Sequence, residues 1–167
     1  MNTIVERTVS LGKPIMAPCM VPVEHKSTPN CINDPFMVNG ECWKVTAMSF
    51  GSPHGAVFVD DVDATDVRNI GPALGTHSLF PEGASIVFIQ ILDRENVKAR
   101  LWHREKGETD FTAEAACVAG VTAAMLHRIP ASEVNIHMGQ NIFRVEWNRV
   151  TDEVCLTGPA DVLGTAG

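Results

Sequence analysis

The stretch that most constrains this chain runs from Ala113 to Leu126, where AEAACVAGVTAAML has the length of a helix and only two polar side chains of note, Glu114 and Thr122. A helix lying on a protein surface keeps a polar stripe toward water; this one has none, so it must be covered on all sides. Ala115, Ala116, Ala119, Gly120, Ala123 and Ala124 keep its cylinder thin and let strands approach closely. Gly120 costs roughly 1 kcal/mol of helix propensity relative to Ala, which makes sense where packing needs the missing side chain. The expectation is a sheet wrapped around one central buried helix.

The start of that helix is its chemically interesting end. Thr109, Asp110 and Thr112 are all N-cap residue types, and Glu114 falls in the first turn, where the helix dipole favours a negative charge. Free backbone N–H groups at such an end can hold a carboxylate or phosphate. The plainer alternative is that Thr112 simply caps the helix.

Strands are expected around it. Thr3 to Leu11 alternates loosely and ends at Gly12-Lys13-Pro14, and the proline-rich run from Met16 to Pro35 reads as a linker. Cys19 and Cys31 in that run are expected to be exposed. Phe36 to Val38 and Glu41 to Ser49 flank Asn39-Gly40, the dipeptide of a tight type I′ hairpin. Ala56 to Val59 leads into the acidic corner Asp60-Asp61-Val62-Asp63, which reads as the start of a short surface helix reaching Leu74 rather than as a metal site. Ser85 to Leu92 is a nearly continuous apolar strand. Val97 to Arg104 alternates, with Val97, Ala99, Leu101 and His103 on one face. After the helix, Ile129-Pro130 breaks the pattern; strands follow at Val134 to Met138, Ile142 to Trp147 and Val154 to Thr157, and Gly158-Pro159 ends the regular structure.

The 167 residues, 45% of them hydrophobic, suffice for one good core. A net charge of -7 with no cluster of Lys or Arg argues against nucleic acid as a partner. The five cysteines, at 19, 31, 42, 117 and 155, form no CxxC pair and no zinc-like spacing with histidine, so no metal is expected. No apolar run approaches the ~20 residues that cross a bilayer, and the N-terminus does not read as a leader, so the expectation is a soluble cytoplasmic protein with reduced thiols.

The segment WHREKGETDFTAEAAC resembles the signature of the diaminopimelate epimerase family. There a Trp-Glu-Arg strand end is followed by Gly-Glu-Thr, a catalytic Cys at a Gly-rich helix start, and a later Ala-Cys. Trp102, Arg104, Gly107, Glu108, Thr109, Ala116 and Cys117 fit in register. The catalytic Cys does not: Thr112 takes its place, Ala113 and Ala115 replace the glycines, Glu114 replaces a Thr, and His103 replaces the acid before Arg104. The similarity extends from about Thr8 to Ala160 through SFGSPHGAVFVDDVD, GPALGTHSLFPEGASIVFIQILDR and LTGPA.

The resemblance implies an α+β lobe with a mixed, mostly antiparallel sheet. Residues 1–43 would hold closing strands and a linker like the end of the family's first lobe, and residues 44–167 the second lobe. It implies His54, His103 and Thr112 at the catalytic positions, and Arg104, Ser52, Ser85, Ala113 and Glu114 at the substrate-binding ones; Ser52 and Ser85 stand where Asn is usual. It also implies an amino-acid epimerase class, lysine biosynthesis as its setting, no cofactor, and a small anionic amino-acid-like ligand.

Cofactor-free inversion needs two acid–base groups on opposite faces of Cα. Cys serves because its pKa of about 8.5 is readily lowered at a helix start, whereas a Thr hydroxyl is far too weak an acid to stand as a base. Three readings follow. The chain is an epimerase-like half, truncated and inactive by itself, that completes a cleft with a separately encoded first lobe; a homo-oligomer is the other partner expected. Alternatively it is a Thr-variant dehydratase like those in the related proline racemase group, or a non-catalytic module that binds small molecules.

Overall fold

The computed structural model describes residues 6–17, 21–23, 31–126 and 133–163. Along the chain lie β1 (Glu6–Gly12), β2 (Asp34–Val38), β3 (Glu41–Ser49), β4 (Pro53–Phe58), a 3-10 turn (Val62–Ala64), α1 (Val67–Gly75), β5 (Ser85–Ile91) and β6 (Asn96–His103). There follow β7 (Gly107–Thr109), α2 (Ala113–Met125), β8 (Glu133–Met138), β9 (Asn141–Trp147), β10 (Val154–Pro159) and α3 (Ala160–Leu163). The strands form one sheet in the order β1-β10-β9-β8-β6-β5-β4-β3-β2, with β7 pairing beside β6. The β4–β5 and β6–β8 pairs are parallel and the other pairings antiparallel. This is the expected α+β arrangement, a mixed and mostly antiparallel sheet around one helix.

The helix that opened the argument is α2, and every residue from Ala115 to Ala124 is buried. It packs against β4, β5, β6, β8, β9 and β10. The thin cylinder is needed: a Cβ on Gly120 would lie 2.7 Å from Val145 Cβ, closer than side chains tolerate. Alternation along β5 and β6 separates two cores. Val87, Ile89, Val97, Ala99 and Leu101 join the α2 core, while Ile86 and Phe88, with Trp102 beside them, join a second core under α1.

The Asn39-Gly40 turn is type I′, with φ of 50° and 83°, and it sets Val38 opposite Glu41. The helix expected from the acidic corner to Leu74 is divided. Asp61 Oδ1 accepts from the N–H groups of Asp63 and Ala64 at 3.0 and 3.4 Å, capping the short 3-10 turn, and α1 starts only at Val67. Asp63 pairs with Lys98, so the acidic corner is engaged in capping and ion pairing.

Two further expectations need correction. Cys31 is not exposed: only 1% of it reaches solvent, because it lies against β3, where Ala47 N–H donates to its carbonyl at 2.9 Å and its thiol faces the Val45 carbonyl. Beyond the turn after β6, β7 doubles back on β6 with Leu101 opposite Thr109. Regular structure does not stop at Gly158-Pro159, since α3 follows and packs on β1 and β10. Thr3 to Val5, Cys19, much of the expected linker and the break at Ile129-Pro130 lie outside the described residues.

Candidate active site

β4 and β5 run parallel with His54 opposite Ser85, and β6 runs back along β5 with Trp102 opposite Ile86. One step outward from the Ile86–Trp102 pair, Ser85 therefore stands beside His103. Side chains that are directly opposed across strands share a face, so His54, Ser85 and His103 form a row across three strand ends. They share the parity of Ala56, Val87 and Leu101, which lie in the α2 core. The row is the polar margin of a mostly apolar face.

Each member is tied down. His54 is 2% exposed, and its Nδ1 lies 2.9 Å from the carbonyl oxygen of Ser52. An oxygen of that kind only accepts, so the ring proton is on Nδ1 and Nε2 carries a lone pair. Burial lowers the His54 pKa to about 4 against its ordinary 6.5; the Ser52 carbonyl pulls it upward, and the neighbouring His103 and Arg104 push it further down. His54 is thus neutral at pH 7, with two basic groups within electrostatic reach.

Ser85 is 1% exposed, and its hydroxyl accepts from the Arg104 N–H at 3.1 Å, which pins the turn after β6. The Arg104 guanidinium donates to the Glu82 carbonyl at 3.3 Å and stands 3.9 Å from the exposed Glu105 carboxylate. Its own side chain is 28% exposed, so it is reachable by a ligand. His103 Nδ1 accepts from the N–H groups of Glu105 and Lys106 at 3.1 and 3.3 Å.

Thr112 is the N-cap of α2, its hydroxyl accepting from Ala115 N–H at 3.1 Å. Ala113 and Glu114 follow in the first turn, both partly exposed. These three belong to a helix packed on β4, β5 and β6, but no hydrogen bond among the described residues links them to the row. The next thiol along the helix, Cys117, is fully buried, and burial raises its pKa, with the Glu114 charge adding to the rise. It is core packing. Burial, helped by the Asp34 charge, likewise pushes the Cys31 thiol up to about 12.

Sequence reading missed the seat that holds β6 in place. Gly71 and Gly75, one turn apart on α1, leave room for Trp102: a Cβ on either would lie within 2.5 Å of it. The signal was present as two glycines four apart in an expected helix. Other concavities among the described residues lie away from the row. One, of about 270 Å³, is lined by Asp63, Lys98, Arg100, Glu108 and His137, and its charges already pair Lys98 with Asp63 and Arg100 with Glu108.

A family model for diaminopimelate epimerase matches residues 46–163, which include every position of the row. The chain belongs to the diaminopimelate epimerase family. It is 36% identical to the diaminopimelate epimerase of Moorella thermoacetica over 91% of this chain and 54% of that protein. It is 32% identical to that of Oceanobacillus iheyensis over 98% of this chain and 57% of the relative. The chain therefore spans about half the length of the curated relatives it matches. Solved structures carry the same fold at low identity. A hydroxyproline epimerase from Agrobacterium vitis matches with TM-score 0.57 and 10% identity over 92% of this chain and 49% of its own. A phenazine biosynthesis protein from Bacillus anthracis matches with TM-score 0.57 and 14% identity over 93% and 58%.

Proposed function

We propose that this chain is one half of a diaminopimelate epimerase-like isomerase site, built to hold a small amino-acid-like anion at Arg104 and the His54–Ser85–His103 row, and silent in two-base inversion by itself. Residues 44–167 supply the half-site described above, and residues 1–43 correspond to the end of an opposing lobe. A separate first lobe or a second copy of the chain completes the cleft. Diaminopimelate is the first candidate ligand.

The observation that carries this reading is Thr112. Its hydroxyl serves the helix by accepting Ala115 N–H, in the position where the family signature has a thiol. A helix start lowers a thiol toward neutrality, but an alcohol stays far above it, so Thr112 can donate or accept a hydrogen bond and cannot stand as a base. His54, held to about 4 mainly by burial, is too weak a base to remove a proton from Cα unaided.

The test is α-proton exchange of diaminopimelate in deuterated water, followed by NMR, for the wild type and for Thr112→Cys. Exchange only in the variant is expected, because one thiolate suffices to exchange a proton even where inversion needs two groups. Exchange by the wild type would overturn the claim of silence and favour a catalyst using another base. Silence from both would mean that the chain alone is a binding half-site, and exchange by Thr112→Cys would then be required only once a first lobe is supplied; silence there too removes the isomerase reading.

A further inference from the structure

Among the described residues, three histidines are locked by backbone groups within two or three residues, and their locks differ. His54 gives its Nδ1 proton to the Ser52 carbonyl. His77 Nδ1 instead accepts from Leu79 N–H at 3.1 Å, and its Nε2 lies 3.1 Å from the Met37 carbonyl, which takes its remaining proton. His103 has the same lock as His77, its Nδ1 accepting from two backbone N–H groups, but its Nε2 makes no hydrogen bond among the described residues. A ring nitrogen that accepts carries no proton, so the His103 proton is on Nε2, the nitrogen left without a partner.

We propose that His103 is a specificity-determining hydrogen-bond donor, whose Nε2–H takes a carboxylate oxygen of the ligand beside Arg104. The inference rests on the proposed ligand site and assigns its polarity. The His103 and Arg104 corner supplies donors, and the His54 end, with its bare Nε2, supplies an acceptor suited to an ammonium group. His103 is then not a base in the resting site, because its outward nitrogen already holds a proton and its inward one is committed to the turn. An acidic side chain at position 103 would present acceptors instead and would repel the same carboxylate. The ligand class that fits this corner is a small amino acid or dicarboxylate whose acid group docks at His103 and Arg104.

Two measurements test it on the whole chain. Long-range proton–nitrogen NMR of the imidazoles reads the tautomers directly: His103 is expected in the Nε2–H form and His54 in the Nδ1–H form. The Nδ1–H form at His103 would overturn the proposal. The second uses glutarate, a dicarboxylate without an amine or an exchangeable α-proton of interest, so its binding does not depend on catalysis. Glutarate at millimolar concentration is expected to shift the His103 ring resonances. Affinity should stay within about threefold for His103→Gln, whose amide N–H stands near the Nε2 position, and fall about tenfold or more for His103→Glu, in line with the loss of a charge-assisted hydrogen bond. No shift at His103, equal loss in both variants, or unchanged affinity in His103→Glu would each overturn it. If α-proton exchange is absent from every variant, with a first lobe supplied as well, while glutarate follows this pattern, the isomerase reading fails and the donor assignment stands; exchange by Thr112→Cys with no dependence of binding on His103 gives the reverse.

Discussion

The two faces of the sheet solve the same packing problem with different materials. On one, α2 is apolar throughout its middle, and the buried polar groups among the described residues are the strand-end row, Thr122 in the helix and Thr46, whose hydroxyl accepts from Asn33 N–H. On the other, α1 is short, half-buried and interrupted by Pro72, and it meets the sheet through glycines seated on a tryptophan, with the ion pairs of Arg68 and Arg100 to Glu108 nearby. The α2 face can therefore hold a buried imidazole in a dry setting at its margin, while the α1 face keeps its charges near water, where they are worth little. A site whose groups need altered proton affinity belongs on the first face.

The largest effect expected from this contrast is a pH dependence of stability that originates at His54. Its folded pKa, about 4, lies below the ordinary 6.5, so between those values the unfolded chain binds a proton that the folded chain refuses. Stability from this group is fully present above pH 6.5 and is lost as pH falls toward 4, by about 3 kcal/mol in all. Urea unfolding across that range should show the loss in the wild type. His54→Asn, whose amide N–H can replace the bond to Ser52, should lose less, and the difference between the two curves isolates the imidazole from the carboxylates that titrate alongside it. Parallel curves would mean that the α2 face does not hold His54 in a dry setting.

A smaller effect separates the two helix seats. A Cβ at Gly75 would lie 2.3 Å from the Trp102 ring and 2.5 Å from the Ala84 carbonyl oxygen, and the Gly75 strand-helix junction is itself fixed by Ala84 N–H donating to the Gly75 carbonyl at 2.9 Å. Backbone cannot yield there without breaking that bond. Gly75→Ala should cost about 2 kcal/mol or somewhat more. At Gly120 the obstacle is the Val145 side chain, and an alanine in mid-helix recovers roughly 1 kcal/mol of propensity, so Gly120→Ala should cost only about 1 kcal/mol. Denaturant midpoints of the two variants rank them; a larger loss at Gly120 would reverse the assignment of the tighter seat.

The same asymmetry explains what could be read from the sequence. α2 was legible because burial on all sides leaves a compositional mark, and the Asn39-Gly40 hairpin because φ > 0 at two successive positions selects those residues. The alternation of β6 placed His103 on the inner face. The split at Asp61 was not legible, since a carboxylate that caps a 3-10 turn looks the same in sequence as one that opens a helix. Nor was the burial of Cys31, which depends on where Val45 and Ala47 arrive from elsewhere in the chain. At the candidate site, residue identities came from the family signature, but the row His54–Ser85–His103 is a product of strand register. The opposite locks of the two imidazoles depend on local turn geometry that no residue spacing encodes.

The smallest expected effect probes the one interior flaw of the α2 face. Thr122 is fully buried in mid-helix, and its hydroxyl has no hydrogen-bond partner among the described residues. Such a group loses its water on folding and gains nothing in return. Valine has nearly the same shape and a similar helix propensity, so Thr122→Val removes the unsatisfied oxygen while leaving the packing around Gly120 and Val145 as it is. A gain of roughly 0.5–1 kcal/mol in urea unfolding is expected. A loss would show that the hydroxyl is satisfied by a buried water, and Thr122 would then join Thr46 as a satisfied polar point inside the α2 face.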